Sequence, residues 1–274
     1  MKSLAIGLII GLIIGSAVGY VIVERQVSQL EARLNELQAK VNEKDTEITN
    51  LKTRIVDLEA QISVERGYKF FRQNLWNDAI GAYRECPLGS GFENNYWGDD
   101  NYLALIFHRD YERFKDNERA NRIQQFLEKN PLRLELGLRR WCVLSAINYT
   151  QYQPYNNWEY ADQVTLDGIY HARIGNIDKA KECFNYLIEK MYRNGFIEDE
   201  ATLKNGHEYY KLALSLLLAQ RLKGEDPKGN TYIPILTEKL LDLQRLNGSW
   251  LTDDKPPSWP NTETTILILL AFKT

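Results

Sequence analysis

Leu4-Ala-Ile-Gly7-Leu-Ile-Ile-Gly11-Leu-Ile-Ile-Gly15-Ser-Ala-Val-Gly19-Tyr-Val-Ile-Val23 is a run of 20 residues without a charge near the start of the chain. A helix of this length crosses a hydrocarbon core of ~30 Å. Its four glycines recur at every fourth position, which leaves a smooth strip on one helix face where two backbones can approach closely. The run predicts a membrane anchor over residues 1–23 that packs against a second copy.

A heptad repeat begins where the apolar run ends. The a positions are Val27, Leu34, Val41, Ile48, Ile55 and Ile62, and the d positions are Leu30, Leu37, Lys44, Leu51, Leu58 and Glu65. Ten of these twelve residues are aliphatic, and residues 24–66 contain neither Pro nor Gly. Mostly β-branched residues at a with Leu at d are typical of parallel two-stranded coiled coils. We therefore expect a dimeric stalk over residues 24–66.

The charges beside the heptad seam indicate the same orientation. In a parallel dimer each g residue meets the e residue five positions later on the partner, which pairs Lys40 with Asp45, Glu47 with Lys52, and Arg54 with Glu59. All three pairs are attractive, and an antiparallel dimer would lose them. Each contributes only a few tenths of a kcal/mol, so they select orientation. A homodimer through Gly7, Gly11, Gly15, Gly19 and heptads 27–65 is expected; a single solvated helix is the alternative.

The residues on either side of the apolar run bear on which side of the membrane the C-terminal domain lies. Only Lys2 precedes the span, while Arg25, Arg33 and Lys40 follow it, so the count of basic residues does not decide orientation. A very short tail before a long apolar segment favours an uncleaved signal anchor with an extracytoplasmic C-terminal domain; cleavage near Gly15–Tyr20 is the alternative. The sequons at Asn148 and Asn247 are compatible with export.

Composition excludes some function classes. The net charge is −3 and no basic block follows the stalk, so a nucleic-acid partner is not expected. The cysteines are Cys86, Cys142 and Cys183, an odd number in apolar contexts. They predict buried thiols, with one disulfide as the alternative.

Residues 67–274 predict one all-α domain. Helical periodicity and helix stop signals place helices at about 67–85, 100–114, 117–129, 133–147, 160–174, 177–194, 199–222, 231–246 and 261–272. Alternating strand patterns are not expected. Three segments share a layout of Trp, then a polar residue four positions later, then an apolar helix: Trp97 with Asn101, Trp158 with Asp162, and Trp259 with Glu263. Apolar helices alternating with amphipathic ones predict an α/α toroid or partial barrel.

Gln244-Arg-Leu-Asn-Gly248-Ser-Trp250 resembles the Q-x3-G-x-W core of the QW motif of the terpenoid cyclase and protein prenyltransferase toroids. The segment Asn261–Phe272 is similar to the inner helix that follows such a motif, and 99–107 to another inner helix. The resemblance implies an α/α-toroid-like domain in which Gln244 caps a helix end and Trp250 packs beneath it. Lys239 stands where the motif has an aromatic residue. A tetratricopeptide-like array is the alternative, on the basis of Trp76–Tyr83.

The catalytic motifs of that superfamily are missing from this sequence. Asp99-Asp100 and Asp253-Asp254 are adjacent pairs and do not form D-x-D-D or D-D-x-x-D. No cysteine follows an Asp by two positions, so the zinc site of the prenyltransferases is not supported. No metal and no cofactor is predicted.

Polar residues at the expected starts of the inner helices, with nearby tryptophans, are the candidate ligand-binding residues. They are Trp97, Asp100, Asn101, Trp158, Asp162, His207, Glu208, Trp259 and Glu263. The alternative is that the polar residues cap helices and the tryptophans fill gaps between them. The sequence favours a membrane-anchored binding or scaffold protein with a glycan or peptide ligand. A polysaccharide hydrolase or lyase using paired carboxylates is the alternative.

Overall fold

The computed structural model describes the backbone of residues 2–131, 136–145, 152–155 and 157–272. Side chains are described for 15–16, 19–131, 140–145, 152–155 and 157–272. The surroundings of Gly7 and Gly11 and the structure of the sequon at Asn148 lie outside this description. Within it nearly all regular structure is helical, which confirms the all-α class.

The elements follow one another as α1 (Lys2–Phe70), a π-helical turn (Phe71–Leu75), β1 (Trp76–Asn77), β2 (Ala82–Tyr83), α2 (Gly98–Asp110), a 3-10 turn (Glu112–Phe114), α3 (Asn117–Lys129), α4 (Leu136–Ser145), α5 (Ala161–Arg173), α6 (Ile177–Tyr186), a second π-helical turn (Leu187–Met191), β3 (Tyr192–Arg193), β4 (Phe196–Ile197), α7 (Thr202–Asn205), α8 (Tyr209–Arg221), α9 (Pro227–Asp242) and α10 (Thr262–Ala271).

The chain divides into two compact units, Met1–Ile55 and Val56–Thr274. The expected boundary at residue 67 lies inside the second unit, where Ser63 and Val64 are buried. Among the described residues no helix combines the length and apolarity needed to cross a bilayer. Of the glycine strip, Gly15 and Gly19 are described; both are exposed, and open space surrounds the position of a Cβ on each.

The heptad face of α1 is uncovered. All ten aliphatic a and d side chains between Val27 and Ile62 are 48–66% exposed. Single exposed apolar residues are ordinary, but a continuous apolar stripe marks an interaction surface.

Five helices of the second unit contact one another in a closed cycle. Helix α2 contacts α4, α4 contacts α5, α5 contacts α8, α8 contacts α10, and α10 contacts α2 again. Three further helices, α3, α6 and α9, pack mainly on α2, α5 and α8 respectively. Helices α8 and α10 are buried along nearly their whole length because they carry apolar residues on every face.

Two short hairpins correct the expectation that strands are absent. The helix expected over 67–85 ends at Phe70; the chain then makes a π-helical turn, and β1 pairs antiparallel with β2. The side chain of Asn77 accepts the N–H of Ala79 at 3.0 Å, and Gly81 adopts φ +75° to close the turn. The Trp76–Tyr83 segment is thus a hairpin and not the helix of a tetratricopeptide-like repeat.

The helix expected over 177–194 is shortened in the same way. Helix α6 ends at Tyr186, a π-helical turn follows, and β3 pairs with β4 around Asn194 and Gly195, both with positive φ. Asn-Gly is the preferred pair for a two-residue hairpin turn. The helix expected over 199–222 is also divided, into α7 and α8, at Gly206.

The QW-like segment joins the end of α1 to the last two helices. Gln244 donates its side-chain N–H to the carbonyls of Ser63 at 2.9 Å and Gly248 at 3.0 Å. Trp250 is fully buried and donates to the carbonyl of Leu240 at 2.8 Å. A Cβ on Gly67 would lie 2.3 Å from the Trp250 ring, so α1 passes this ring at the closest distance a backbone allows. Trp250 is therefore a buried residue that contacts both α1 and α9.

Candidate carboxylate site

Four of the predicted acidic residues lie at the starts of helices in the cycle. We name them the carboxylate cluster: Asp100 on α2, Asp162 on α5, Glu208 at the N-cap of α8, and Glu263 on α10. Burial raises the pKa of Glu263 to about 7, and the negative charges of Asp99, Asp162 and Glu208 contribute to this rise. Because such interactions weaken with distance, these three carboxyl groups lie within electrostatic range of Glu263.

Asp100 and Glu263 form an interacting pair. The side chain of Asp100 is buried, and burial followed by the charge of Glu263 raises its pKa well above the ordinary value. Two carboxyl groups in a poorly solvated place cannot both ionise easily, and the more buried one keeps the proton. Asp100 is therefore more readily protonated than an ordinary aspartate. Within the described residues, neither side chain accepts a hydrogen bond, so both are available to a ligand.

Arg140 brings a positive charge to the cluster from α4. Its guanidinium forms an ion pair with the Asp162 carboxylate and donates from Nε to the phenol oxygen of Tyr155 at 2.7 Å. This pair holds Asp162 in a fixed orientation beside Glu263, whose pKa the charge of Arg140 lowers. Arg140 was not predicted from the sequence, because no local sequence pattern marks its position in α4.

Lys211 provides a second, more deeply buried cation. Its ammonium nitrogen lies 2.8 Å from Asp199 Oδ1 and 2.6 Å from Glu208 Oε2, and the lysine side chain is 1% exposed. Asp199 also accepts the backbone N–H of Ala161 at 2.8 Å, which ties the start of α5 to the start of α8. A lysine inside the apolar sequence of α8 requires a buried partner, and this signal could have predicted the pair.

Tyr210 lies among the acids of the cluster. Burial, and then the charges of Asp162, Glu208 and Glu263, raise its pKa well above the ordinary value. The phenol therefore remains protonated. With Arg140 it gives the site hydrogen-bond donors beside carboxylate acceptors, an arrangement suited to a polar ligand with several hydroxyl or amide groups.

The three tryptophans of the predicted ligand site lie in two different environments. Trp97 is 51% and Trp259 38% exposed, and they precede α2 and α10 respectively, next to Asp100 and Glu263 in the chain. Trp158 lies against α6, where its ring meets that of Tyr186 with centroids 5.1 Å apart. Trp97 and Trp259 are thus exposed rings close in sequence to the cluster, and Trp158 belongs to a different surface.

Asn101 and His207 are held by other contacts. Asn101 is fully buried, and its amide bonds both the backbone N–H and the carbonyl of Tyr83 at 2.7 and 2.8 Å, so it anchors β2 to α2. The ring of His207 stacks on Phe196 and bonds Asp254 through Nδ1 at 2.6 Å. His207 therefore connects the segment before α8 with the loop before α10.

His108 and the three cysteines are packed into the domain. His108 is fully buried and bonds the Tyr83 hydroxyl at 2.8 Å, as expected for a core histidine. The three cysteines are free and buried, which confirms the prediction of buried thiols. Burial raises the pKa of Cys86 and of Cys183 to about 12.

The sequence matches no family model and resembles no curated protein sequence. In the described part of the chain, no group of three or more His, Cys, Asp or Glu side chains is arranged to hold a metal ion. The site combines carboxyl groups, a guanidinium and a phenol at and near the starts of helices of the cycle.

Proposed function

We propose that the protein is a single-pass membrane-anchored homodimer in which a parallel coiled coil displays a helical ligand-binding domain. The observation that carries the proposal is the uncovered heptad face, whose ten aliphatic side chains are about half exposed or more in the single chain. At about 25 cal/mol per Å² of apolar surface, pairing of this face strongly favours association. Matched g and e charges then select the parallel arrangement.

The anchor in this proposal is the apolar run of residues 4–23, acting as an uncleaved signal anchor with the rest of the chain extracytoplasmic. Its length supports this, as does the glycine spacing, which suits close helix pairing in lipid. Since the heptads begin at Val27, the same two helices would continue from the membrane into the stalk.

The domain in this proposal is a small α/α toroid. The closed cycle of α2, α4, α5, α8 and α10 supports an inner ring, and the packing of α3, α6 and α9 on single members of the cycle supports an outer layer. The QW-like segment, with Trp250 buried and Gln244 bonded to α1, supports the same architecture.

The ligand in this proposal is a glycan or peptide bound at the carboxylate cluster. Asp100 in its protonated form and Tyr210 supply donors, and Glu263 supplies an acceptor. Trp97 and Trp259 add exposed ring surface. Such a mixture of aromatic faces and convergent polar groups is usual for ligand sites.

Sedimentation of a peptide covering residues 24–66 tests the stalk. A dimer at high micromolar concentration is expected, and a monomer would contradict the proposal. A cysteine introduced at position 30, a d position, should form a disulfide between two copies because identical d residues face each other in a parallel dimer. Cross-linking only in an antiparallel arrangement would contradict the orientation.

A glycan and peptide array probed with the fragment Val56–Thr274 tests the ligand site. Binding should be lost in Glu263→Gln and Asp162→Asn and kept in Glu189→Gln, a matched change at an exposed ion pair with Lys228. A ligand that binds the unaltered fragment and all three variants equally would show that the binding site lies elsewhere.

A polysaccharide hydrolase or lyase is the second candidate, and the pKa of Glu263 favours it. A carboxyl with a pKa of about 7 beside ionised carboxylates has the property of a general acid in glycoside cleavage. Turnover of an array hit that is lost in Glu263→Gln, while binding and folding persist, would establish catalysis. Turnover unchanged by this substitution would reject Glu263 as its acid.

A further inference from the structure

A concavity that none of the four acids of the carboxylate cluster lines lies on the α5–α6 pair. We call it the α5–α6 pocket. Its volume is about 300 Å³, and the chain segment before α5 forms one wall. Three aromatic side chains line it, Tyr155, Trp158 and Tyr186. None of the functions considered above uses this pocket.

Buried hydrogen bonds fix the aromatic wall of the pocket. Trp158 donates from Nε1 to Asp167 at 2.7 Å, and the same carboxylate accepts the hydroxyl of Tyr152 at 2.5 Å and the backbone N–H of Tyr155 at 3.1 Å. Asp167 is 1% exposed. A buried carboxylate with several donors holds its neighbours in one arrangement, so the Trp158 ring is presented rigidly and at no ordering cost to a ligand.

Polar groups line the opposite side. Lys179 and Glu182 form an ion pair of 2.8 Å, both partly exposed, and the ammonium group lies 5.4 Å from the centre of the Trp158 ring. Asn157 contributes an amide. These groups offer donors and acceptors at the edge of the aromatic wall.

His171 completes the lining, one helical turn after Asp167. Its Nδ1 is buried and has no hydrogen-bond partner within the described residues. Burial lowers the pKa of His171 and raises the pKa of Asp167, so it disfavours the charged form of each side chain. The ion pair of Lys179 and Glu182 carries no net charge. The lining therefore offers no excess positive charge to an anionic ligand.

We propose that the α5–α6 pocket binds a pyranose ring of a neutral saccharide. The apolar face of such a ring packs against an indole, while its hydroxyl groups bond the amide, ammonium and carboxylate groups at the edge. A cavity of this volume accommodates one or two sugar rings. The inference does not rest on the carboxylate cluster and holds whether or not that site binds a ligand.

Saturation-transfer NMR with the full-length protein, in micelles of a detergent without a sugar headgroup, tests the proposal. The probes are cellobiose, maltose and N,N′-diacetylchitobiose, together with glucose and glucuronic acid. At least one neutral disaccharide should bind, and glucose should bind more tightly than glucuronic acid. Titrations should show at least tenfold weaker binding to Glu182→Gln and to Trp158→Ala, since these remove an edge acceptor and the stacking face.

Two controls separate this pocket from other sites and from misfolding. Glu263→Gln alters the carboxylate cluster alone and should leave disaccharide binding unchanged. Glu182→Gln replaces a half-exposed side chain and should keep the circular dichroism and melting temperature of the unaltered protein. Failure of all three disaccharides to bind would overturn the proposal. So would binding that survives in both pocket variants, or that Glu263→Gln removes.

Discussion

Individual carboxyl groups of the carboxylate cluster have pKa values that differ from those that they would have in water. Glu263 is half-buried, and its pKa of about 7 means that folding itself changes its protonation. Asp100 shows the stronger effect because it is more deeply buried. Lys211 shows a different arrangement, in which a buried ammonium group contacts two carboxylates at 2.8 and 2.6 Å.

The pKa of Glu263 predicts a particular pH dependence of stability. Between the ordinary glutamate pKa of 4.5 and about 7, the folded state holds a proton that the unfolded chain has released. Raising the pH across this window therefore lowers the free energy of unfolding. Glu263→Gln removes this contribution, so its stability should fall less between about pH 5 and pH 8, by on the order of 1–3 kcal/mol.

Urea unfolding at both pH values measures the effect. Glu189→Gln is the control, because Glu189 is exposed and Lys228 lowers its pKa, so this variant should follow the unaltered protein. An equal pH dependence for Glu263→Gln and the unaltered protein would contradict the prediction.

Trp250 should contribute more to stability than any exposed tryptophan. Trp250→Ala removes a fully buried ring and leaves the carbonyl of Leu240 without its donor. Loss of roughly 3 kcal/mol or more is expected in chemical denaturation. Trp97→Ala, at a ring that is 51% exposed, should cost below about 0.5 kcal/mol. A change below about 0.5 kcal/mol for Trp250→Ala would mean that the QW-like segment does not pack as described.

Lys211→Met should destabilise the domain strongly. The substitution preserves the length of the side chain but leaves Asp199 and Glu208 buried without their cation. Breaking a buried pair in this way costs about 3–5 kcal/mol. Lys228→Met is the matched control at an exposed pair, with an expected cost below about 1 kcal/mol. Similar unfolding curves for the two variants would show that the buried pair contributes little.

At the scale of helices, the heptad face of α1 changes from aliphatic to charged along its length. Its aliphatic a and d positions are uncovered, but continuation of the heptad beyond Ile62 would place Glu65, Lys69 and Arg72 on the same face. In a parallel dimer each of these would meet its own copy, and like charges repel. The seam should therefore end near Ile62, where α1 begins to pack into the second unit.

Lys44 is a charged residue at a d position within the aliphatic seam. Replacing it with an aliphatic residue should increase the stability of the coiled coil. In the single chain it is exposed and bonds Glu47 at 2.5 Å within the helix. A lysine at d lowers coiled-coil stability, so Lys44→Leu in the 24–66 peptide should raise the melting temperature. Thr46→Leu adds similar apolar surface at an outward f position and should not. Equal effects of the two substitutions would contradict the heptad assignment.

The helical elements could largely be predicted from the sequence, and the hairpins could not. Helix α3 matches the predicted bounds, because Asp116 caps it and its amphipathic pattern is strong. Both hairpins follow π-helical turns at the ends of α1 and α6, where apolar residues continue the helical period into the strands. Asn194-Gly195 is typical of a hairpin turn, but the helical period of the residues around it predicts a continuous helix.

At the scale of the whole molecule, the sequence located acidic residues at helix starts but not the cations that accompany them. Arg140 comes to the cluster from a position that only the packing of α4 determines, whereas Lys211 is marked in the sequence as a lysine within the apolar helix α8. Asp199 lies in a loop, yet it ties α5 to α8. Long-range contacts of this kind have no local pattern, whereas helix starts and heptads do.

The division into two units predicts the oligomeric state of fragments. The unit Val56–Thr274 carries little of the heptad face, so it should sediment as a monomer, while the full-length protein in micelles should sediment as a dimer. Light scattering coupled to size-exclusion chromatography measures both masses. A dimeric Val56–Thr274 fragment would assign the main interface to the domain and not to the stalk.

The buried cysteines have a practical consequence for chemical labelling. With a pKa of about 12, Cys86 and Cys183 are thiolates in only roughly one molecule in 10⁴ or fewer at neutral pH, and Cys142 is buried as well. Maleimide probes should therefore leave the native protein unmodified and react selectively with a cysteine introduced on the exposed face of α1. Spin labels and fluorophores can then report distances along the helix without removal of any natural thiol.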